Sequence, residues 1–236
     1  MDKKQRKRSW TEKAIRSNGH LTRIYDLLFQ RFGPQCWWPG ETPFEVVIGA
    51  ILTQNTAWTN VARAIHNLKN AGCLHPEDFY RLDITELAEL IRPSGYYQIK
   101  AQRLKEFMKH LFLNHNGKLE RMFEQEIRPL RQELLDIKGI GPETADSILL
   151  YAASKPIFVV DAYTRRIFSR HGFFPEDWSY SDIQSLFMKS LPQDLQLYNE
   201  YHALIVRLAK THCKKNPVCI GCPLENEKIN LSGGNP

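Results

Sequence analysis

The feature that most constrains this chain is an apolar repeat of helical period, which recurs along most of its length. Strand-like alternation is nearly absent, and residues 156–160, which end at Asp161, are better interpreted as a buried connector. The repeat therefore predicts an all-α fold with short loops. Five segments place large apolar side chains at i, i+3, i+4 and i+7 spacing: Leu21, Ile24, Tyr25 and Leu28; Phe44, Val47, Ile48, Ile51 and Leu52; Leu104, Phe107, Met108, Leu111 and Phe112; Ala145, Ile148, Leu149 and Ala152; Leu197, Tyr201, Leu204, Ile205 and Leu208.

Length and charge narrow the class of protein further. The 236 residues are 42% hydrophobic, which suffices for one large or two small domains with buried cores. The net charge of +6 favours a polyanionic partner. Apolar runs are too short to span a bilayer, and the first ten residues lack the apolar stretch of a secretory signal. We therefore expect no membrane association and a cytoplasmic location. The basic run at residues 3–8 fits either a solvated tail or an arm that follows phosphates.

A short glycine-containing turn carries the clearest sign of a binding function. The helical pattern ends at Ile137, Gly139 and Gly141 flank an isoleucine, and Pro142 opens the next helix. Glycine permits positive φ and close approach of another backbone, and the first amides of a helix have no partner within it. Such a turn can hold a phosphate, with Lys138 beside it, although an ordinary turn between two helices has the same composition.

These residues also resemble a known family. The segment 138–145, followed by 159–166 with Asp161, resembles the helix-hairpin-helix-Gly/Pro-Asp signature of the endonuclease III superfamily of DNA glycosylases. Residues 52–56 resemble the family loop that enters the minor groove, and residues 95–101 resemble a later family segment. The resemblance extends over about residues 20–225, and its motif details are most similar to the bacterial 3-methyladenine glycosylase branch.

The resemblance implies two helical domains that flank a DNA-binding cleft. Residues 1–34, a basic tail and an N-terminal helix, would pack with the C-terminal helical domain at 154–236. That domain would carry the catalytic aspartate and a cysteine loop. Residues 35–153 would form a helical-barrel domain that contains the helix-hairpin-helix. Double-stranded DNA with damaged bases would be the partner of a monomeric chain.

Asp161 is the candidate catalytic residue. Hydrolysis of an N-glycosidic bond passes through a sugar with oxocarbenium character, which an ionised carboxylate beside C1′ can stabilise. Asp161 precedes an amphipathic stretch, so it stands where an N-cap would, and helix amides there favour the charged carboxylate. On residues alone a purely structural N-cap is the stronger interpretation. The resemblance reverses this preference, because the family's essential aspartate aligns with Asp161.

One departure from the family pattern concerns strand cleavage. Bifunctional members carry a lysine in the second helix of the hairpin, which forms a Schiff base with the sugar, whereas this chain has Glu143 there. A carboxylate cannot form an imine, and Lys138 lies on the other side of the turn. We therefore expect a monofunctional glycosylase that leaves an abasic site.

The damaged base must leave the duplex to be cut, so the chain needs a wedge and a pocket. Gln54 matches the family residue that fills the vacated space. Trp37, Trp38 and Trp58 are the candidate stacking residues of the base pocket, and their placement resembles the 3-methyladenine branch. An electron-rich ring attracts a cation by about 0.5–2 kcal/mol, which suits positively charged alkylated purines. The alternative is that the adjacent tryptophans only fill a core.

The cysteines do not look like a disulfide framework, so the open question is whether they bind a metal. Their number is odd, at five, and Cys213, Cys219 and Cys222 are crowded near the C-terminus. The family's cluster loop has four cysteines, but the fourth place here is Lys228. Three interpretations stay open: a [4Fe–4S] cluster with another ligand such as His202 or His212, a zinc site, or a loop without metal.

The sequence thus predicts a base-excision repair glycosylase for alkylated purines. The first alternative is an endonuclease III-like glycosylase for oxidised pyrimidines or mismatches on the same fold. The second is a helix-hairpin-helix protein that binds DNA without catalysis, and the least favoured is an iron–sulfur redox sensor on DNA.

Overall fold

A computed structural model describes residues 18–227 of the chain. The predicted basic tail at residues 3–8 and Lys228 lie outside the described residues. Within them the chain forms twelve α-helices and no strand, which confirms the all-α prediction. The helices are α1 (Asn18–Phe32), α2 (Pro43–Leu52), α3 (Trp58–Asn70), α4 (Pro76–Arg81), α5 (Ile84–Leu90), α6 (Tyr97–His115), α7 (Leu119–Phe123), α8 (Ile127–Asp136), α9 (Pro142–Ser147), α10 (Ala162–Arg170), α11 (Tyr180–Ser190) and α12 (Leu195–Thr211). A 3₁₀ turn occupies Arg92–Ser94, and a π-helical turn, Ile148–Ala152, extends α9.

The chain divides into two compact units. One consists of Trp38–Lys155 and is called here the hairpin unit. The other combines Met1–Trp37 with Pro156–Pro236, is described over residues 18–37 and 156–227, and is called the aspartate unit. These boundaries lie within three residues of the domain limits that the sequence analysis drew at 34 and 153.

The core of the hairpin unit is built around α2, in which every residue after the first is buried. Pro43 fits the first helical position because its missing N–H would have no partner there. Thr42 caps the helix by accepting a hydrogen bond from the Glu45 amide at 3.1 Å. The Glu45 carboxylate accepts from the Glu41 amide at 3.1 Å and pairs with Lys69 at 3.0 Å. These contacts hold the N-terminal end of α2, the helix that leads to the Gln54 loop.

The two helices that flank the glycine turn are joined by a partly buried ion pair. The Arg131 guanidinium on α8 donates to both oxygens of Asp146 on α9, at 2.6 and 3.1 Å. Asp146 is fully buried, so loss of Arg131 would leave the negative charge of Asp146 buried and unpaired. The pair therefore holds the hairpin in one geometry.

The aspartate unit has an aromatic core that includes the N-terminal helix. Tyr201 on α12 donates its buried hydroxyl hydrogen to the Leu21 carbonyl of α1 at 2.8 Å, and its ring stands 5.3 Å from that of Tyr25. Residues 157–160 are buried, as expected of a connector, and Gln184 donates to the Phe158 carbonyl at 2.7 Å. The connector delivers the chain from the core to Asp161. Over the part of the chain that the structure describes, no helix is long and apolar enough to cross a membrane.

Candidate active site

Asp161 is the N-cap of α10, as the sequence predicts. Its Oδ1 accepts two hydrogen bonds from Thr164, one from the backbone amide at 2.6 Å and one from the hydroxyl at 2.8 Å. Its backbone is extended, at φ −98° and ψ −179°, which is the usual geometry of an N-cap. The side chain is 11% exposed, so the carboxylate is held firmly but is not sealed from solvent.

His202 on α12 is the second partner of this carboxylate. Its Nε2 lies 3.5 Å from Asp161 Oδ2, and its side chain is buried. Burial alone would raise the pKa of Asp161, but the hydrogen bond and charge of His202, together with the two Thr164 donors, outweigh it and lower the pKa below its ordinary value. The aspartate unit thus maintains an ionised carboxylate at neutral pH.

The glycine turn has the geometry that a close backbone approach requires. Gly139 adopts φ +95°, a conformation that side-chain-bearing residues rarely take, and a Cβ there would lie 2.4 Å from Arg103 Cγ. Gly141 has an ordinary φ of −96° and caps α9, with open space where its Cβ would be. Ile140 between them is buried, whereas Lys138 is exposed. The turn therefore presents one lysine and an uncovered backbone to solvent.

Gln54 is tied directly to this turn. Its Nε2 donates to the Gly139 carbonyl at 3.1 Å and to the Thr144 hydroxyl at 2.9 Å. Arg103 on α6 donates to the Gln54 Oε1. The loop that resembles a minor-groove wedge and the turn that resembles a phosphate-binding hairpin are thus one connected surface of the hairpin unit.

Trp38 and Trp58 come together in the hairpin unit. Their rings pack edge to face with centroids 5.1 Å apart, and Tyr151 lies 5.0 Å from the Trp38 ring. Both tryptophans line a cavity of about 300 Å³ that also includes Glu45 and Lys69. A cavity of this size, with two indole rings and a carboxylate, can accept a flat cationic group.

Trp37 lies elsewhere. It belongs to the aspartate unit and lines a different cavity, of about 570 Å³, with Tyr25, Phe29 and residues of the start of α12. The sequence placed Trp37 and Trp38 in one pocket because they are adjacent. The structure assigns them to different units, and they line different cavities.

The cysteine loop follows α12 and is anchored by two arginines of α10. Arg166 donates to the Cys213 carbonyl at 2.9 Å, and Arg170 donates to the carbonyls of Lys214 and Lys215 at 2.7 and 2.9 Å. Arg170 also lies 3.4 Å from the Cys213 sulfur. These contacts order the loop through the protein's own side chains.

The three cysteines of this loop are not arranged as ligands of a single metal ion. Within residues 18–227, the sulfurs of Cys213, Cys219 and Cys222 do not all lie within 4.8 Å of one another, whereas tetrahedral zinc would bring thiolates to about 3.8 Å. His202, offered above as a fourth ligand, lies instead beside Asp161. The loop contains three of the four cysteines in the family's cluster pattern.

Two residues of the site were not found by sequence reasoning. The sequence suggested His202 only as a metal ligand. It did not suggest Arg103, because its partner Gln54 lies 49 residues away in the sequence. Neither stands in a local motif, so only the folded chain brings them to their partners.

Comparison with known proteins assigns the chain to a class of helical DNA repair proteins. Residues 48–193 match the family described as "HhH-GPD superfamily base excision DNA repair protein", so the chain belongs to that superfamily. Its sequence is 50% identical over 207 residues to the "Putative DNA repair glycosylase" of Methanocaldococcus jannaschii, covering 87% of this chain and 94% of that protein. It is a base-excision repair DNA glycosylase of the endonuclease III superfamily.

Solved structures agree with this assignment. The H. pylori 3-methyladenine DNA glycosylase, bound to 1,N6-ethenoadenine, is 31% identical with a TM-score of 0.67, and the match covers 84% of this chain and 97% of that one. A non-covalent endonuclease III–DNA complex has a TM-score of 0.77 at 24% identity, and the match covers 89% and 94% of the two chains. At 24% identity, the similarity to the endonuclease III–DNA complex supports the fold alone.

Proposed function

We propose that this chain is a monofunctional glycosylase that removes alkylated purines from double-stranded DNA, with Asp161 as its catalytic residue. The observation that carries the proposal is the geometry of that carboxylate. Thr164 binds Oδ1 and His202 stands 3.5 Å from Oδ2, so the group is charged and fixed before DNA arrives. A preorganised charge costs no reorganisation when positive charge develops in the substrate.

The proposed reaction needs little else from the protein. The C1′–N bond breaks, and its electron pair leaves with the base, which is already a good leaving group when alkylation has made it cationic. Asp161 stabilises the positive sugar through its carboxylate. A water oxygen then adds to C1′ and loses one proton to the solvent, and the products are an abasic site and the free base.

His202 gives the reaction a pH signature. Because the pKa of Asp161 is lowered, activity should persist to pH values below about 3.9, the ordinary value for this side chain, and be lost only as the pH falls through the pKa of the folded state. In His202→Asn a group that lowers this pKa is gone, so the acidic limb of the rate profile should move to higher pH. Single-turnover base release across an acidic pH series measures this shift. If the acidic limb of the rate profile lies at the same pH in His202→Asn, His202 does not lower the pKa of Asp161.

Two observations support the proposal that the reaction has no lyase step. One concerns Glu143 and the other Lys100. Glu143 occupies the first turn of α9, where bifunctional relatives of the family pattern have lysine. Burial, then the charge of Arg103, lowers the pKa of Lys100 to about 8, which would make it a nucleophile. Its side chain is only 1% exposed, however, and its ammonium donates to the carbonyls of Leu52 and Ser94 at 2.8 and 2.7 Å.

We therefore expect borohydride to trap no covalent complex with damaged DNA, and the product strand to stay intact until alkali or heat is applied. Gel electrophoresis of reactions with and without borohydride, beside a bifunctional glycosylase as positive control, makes the measurement. A trapped adduct would show that a lysine attacks the sugar and would overturn the monofunctional proposal.

The pocket of Trp38 and Trp58 is the proposed site of the flipped base. The indole faces attract positive charge, and Glu45 adds a carboxylate whose charge Lys69 only partly offsets, because Lys69 is shared with Glu41 at 2.8 Å. This electrostatic character favours cationic purines over neutral ones. The 31% identity to a 3-methyladenine glycosylase supports the same substrate class.

Replacement of Trp58 tests this pocket. Trp58→Ala should lower base release from a cationic lesion such as 7-methylguanine by about 2- to 30-fold relative to a neutral lesion such as 1,N6-ethenoadenine. Trp58→Phe keeps an aromatic face and should lose less. Equal losses for the cationic and the neutral lesion would indicate that Trp58 only supports the fold.

The remaining DNA contacts are proposed for the connected surface of the hairpin unit. Lys138 and the backbone at Gly139 and Gly141 would bind a phosphate, and Gln54 would fill the space that the base leaves. A [4Fe–4S] cluster at Cys213, Cys219 and Cys222 stays a prediction. The visible absorbance of anaerobically purified protein tests it.

A further inference from the structure

A compact cluster of potential metal ligands lies in the hairpin unit, apart from the residues proposed above for catalysis and DNA binding. His110 and His115, at the end of α6, both direct Nε2 at the same oxygen of Glu133 on α8, at distances of 2.6 and 2.5 Å. In the described part of the chain, this is the one set of three His, Cys, Asp or Glu residues whose ligand atoms lie within 4.8 Å of one another.

We propose that His110, His115 and Glu133 bind a divalent transition-metal ion of the Zn²⁺ type. Two imidazoles and one carboxylate form an established ligand set for zinc, with a water in the fourth position. Imidazole nitrogen selects Zn²⁺ and its neighbours over Mg²⁺ or Ca²⁺, which prefer oxygen ligands. Bonds of about 2.0–2.2 Å place tetrahedral ligand atoms about 3.4 Å apart, so an ion needs the three groups to separate by only about 1 Å.

The surrounding side chains suit such an ion. Gln125 donates to Glu133 Oε2 and orients the carboxylate, which leaves Oε1 directed at the two histidines. The Asn114 side-chain nitrogen contacts both ring nitrogens of His110, at 3.1 Å from Nδ1 and 3.3 Å from Nε2. Partners of this kind hold metal ligands in a fixed orientation.

Ion entry requires a change of histidine tautomer but no net chemistry. A carboxylate only accepts hydrogen bonds, so both Nε2 atoms carry protons in the arrangement described here. A bound ion needs a bare Nε2, so each proton moves to Nδ1.

The site is also accessible. The side chains of His110, His115 and Glu133 are 23%, 14% and 19% exposed. They are covered enough to be held in place and open enough for an ion and its water to reach them. A bound ion would join the end of α6 to α8, the first helix of the hairpin, and so would stabilise the proposed DNA-binding surface.

Metal titration of the chelator-treated full-length chain tests the proposal. Zn²⁺ binding is followed by calorimetry, and Co²⁺ is used as a spectroscopic probe because thiolate ligands give intense sulfur-to-metal bands that histidine and carboxylate do not. The variants are Glu133→Gln and His110→Asn. His66→Asn is the matched control, since His66 also contacts an asparagine four residues later, Asn70, at 3.0 Å but has no carboxylate partner among its described contacts. Cys219→Ser controls for binding at the cysteine loop.

We expect one ion per chain without sulfur-to-metal bands. The affinity should fall by more than about tenfold in Glu133→Gln and in His110→Asn, but not in His66→Asn or Cys219→Ser. Saturation at about one hundred times the Kd should raise the Tm by about 5–10 °C. Two separate cluster variants guard against a folding defect in one of them. The proposal is overturned if no ion binds, or if binding survives Glu133→Gln and His110→Asn and is lost in Cys219→Ser.

Discussion

Asp161→Asn should lower the rate of base release by about 10²–10³-fold while leaving the fold and DNA affinity in place. Asparagine is nearly the same size and is itself a good N-cap, so its oxygen can still accept from the Thr164 amide at the start of α10. What disappears is the negative charge that would stabilise the developing sugar cation. Loss of one preorganised electrostatic partner costs about 10²–10³-fold in rate, and single-turnover base release from a duplex with one methylated purine measures it.

The control for this variant is its own stability and binding. The free energy of unfolding should change by no more than about 1 kcal/mol, because the cap hydrogen bond survives. The Kd for a duplex with an uncleavable site analogue should stay within a few-fold of the original value. A variant that keeps its rate would show that Asp161 is only a structural cap, and a variant that loses DNA binding would show a role in recognition.

The second large effect is expected from Gly139→Ala, with Gly141→Ala as its matched partner. At Gly139 an alanine would have to adopt φ +95° and would meet Arg103 Cγ at 2.4 Å, so we expect a loss of about 1–3 kcal/mol in the free energy of unfolding. Because Arg103 also binds Gln54, the wedge loop should be disturbed and DNA affinity should fall. At Gly141 the space is open and φ is ordinary, so stability should change by less than about 0.5 kcal/mol.

Denaturant unfolding and DNA titration of the two variants distinguish backbone strain in the protein from a lost contact with DNA. If Gly141→Ala also weakens DNA binding while its stability is unchanged, the added methyl group obstructs a phosphate at the turn. Equal stability of Gly139→Ala and the unaltered chain would contradict the strained geometry at Gly139.

Much of the fold follows from local sequence patterns. The apolar repeats locate α1, α2, α6 and α12, and the predicted N-cap position of Asp161 is confirmed at the start of α10. These features depend on neighbours within one helical turn, so a single sequence contains the needed information. The glycine turn is predictable for the same reason.

The site is less predictable where partners are distant in sequence. His202 reaches Asp161 from another helix, and Arg103 reaches Gln54 only after α6 has packed against the glycine turn. Trp37 and Trp38 belong to different units and line different cavities, which their adjacency in sequence conceals. The cluster of His110, His115 and Glu133 also forms only after α6 and α8 have packed.

The most direct test of the proposed function is a panel of duplexes that each carry one lesion: 3-methyladenine, 7-methylguanine, thymine glycol, uracil, or adenine opposite oxidised guanine. Base release and strand cleavage are scored separately, with and without alkali. The account predicts release of the two methylated purines and strand breaks only after alkali. Preferential release of thymine glycol or a mismatched base, or strand breaks without alkali, would contradict it.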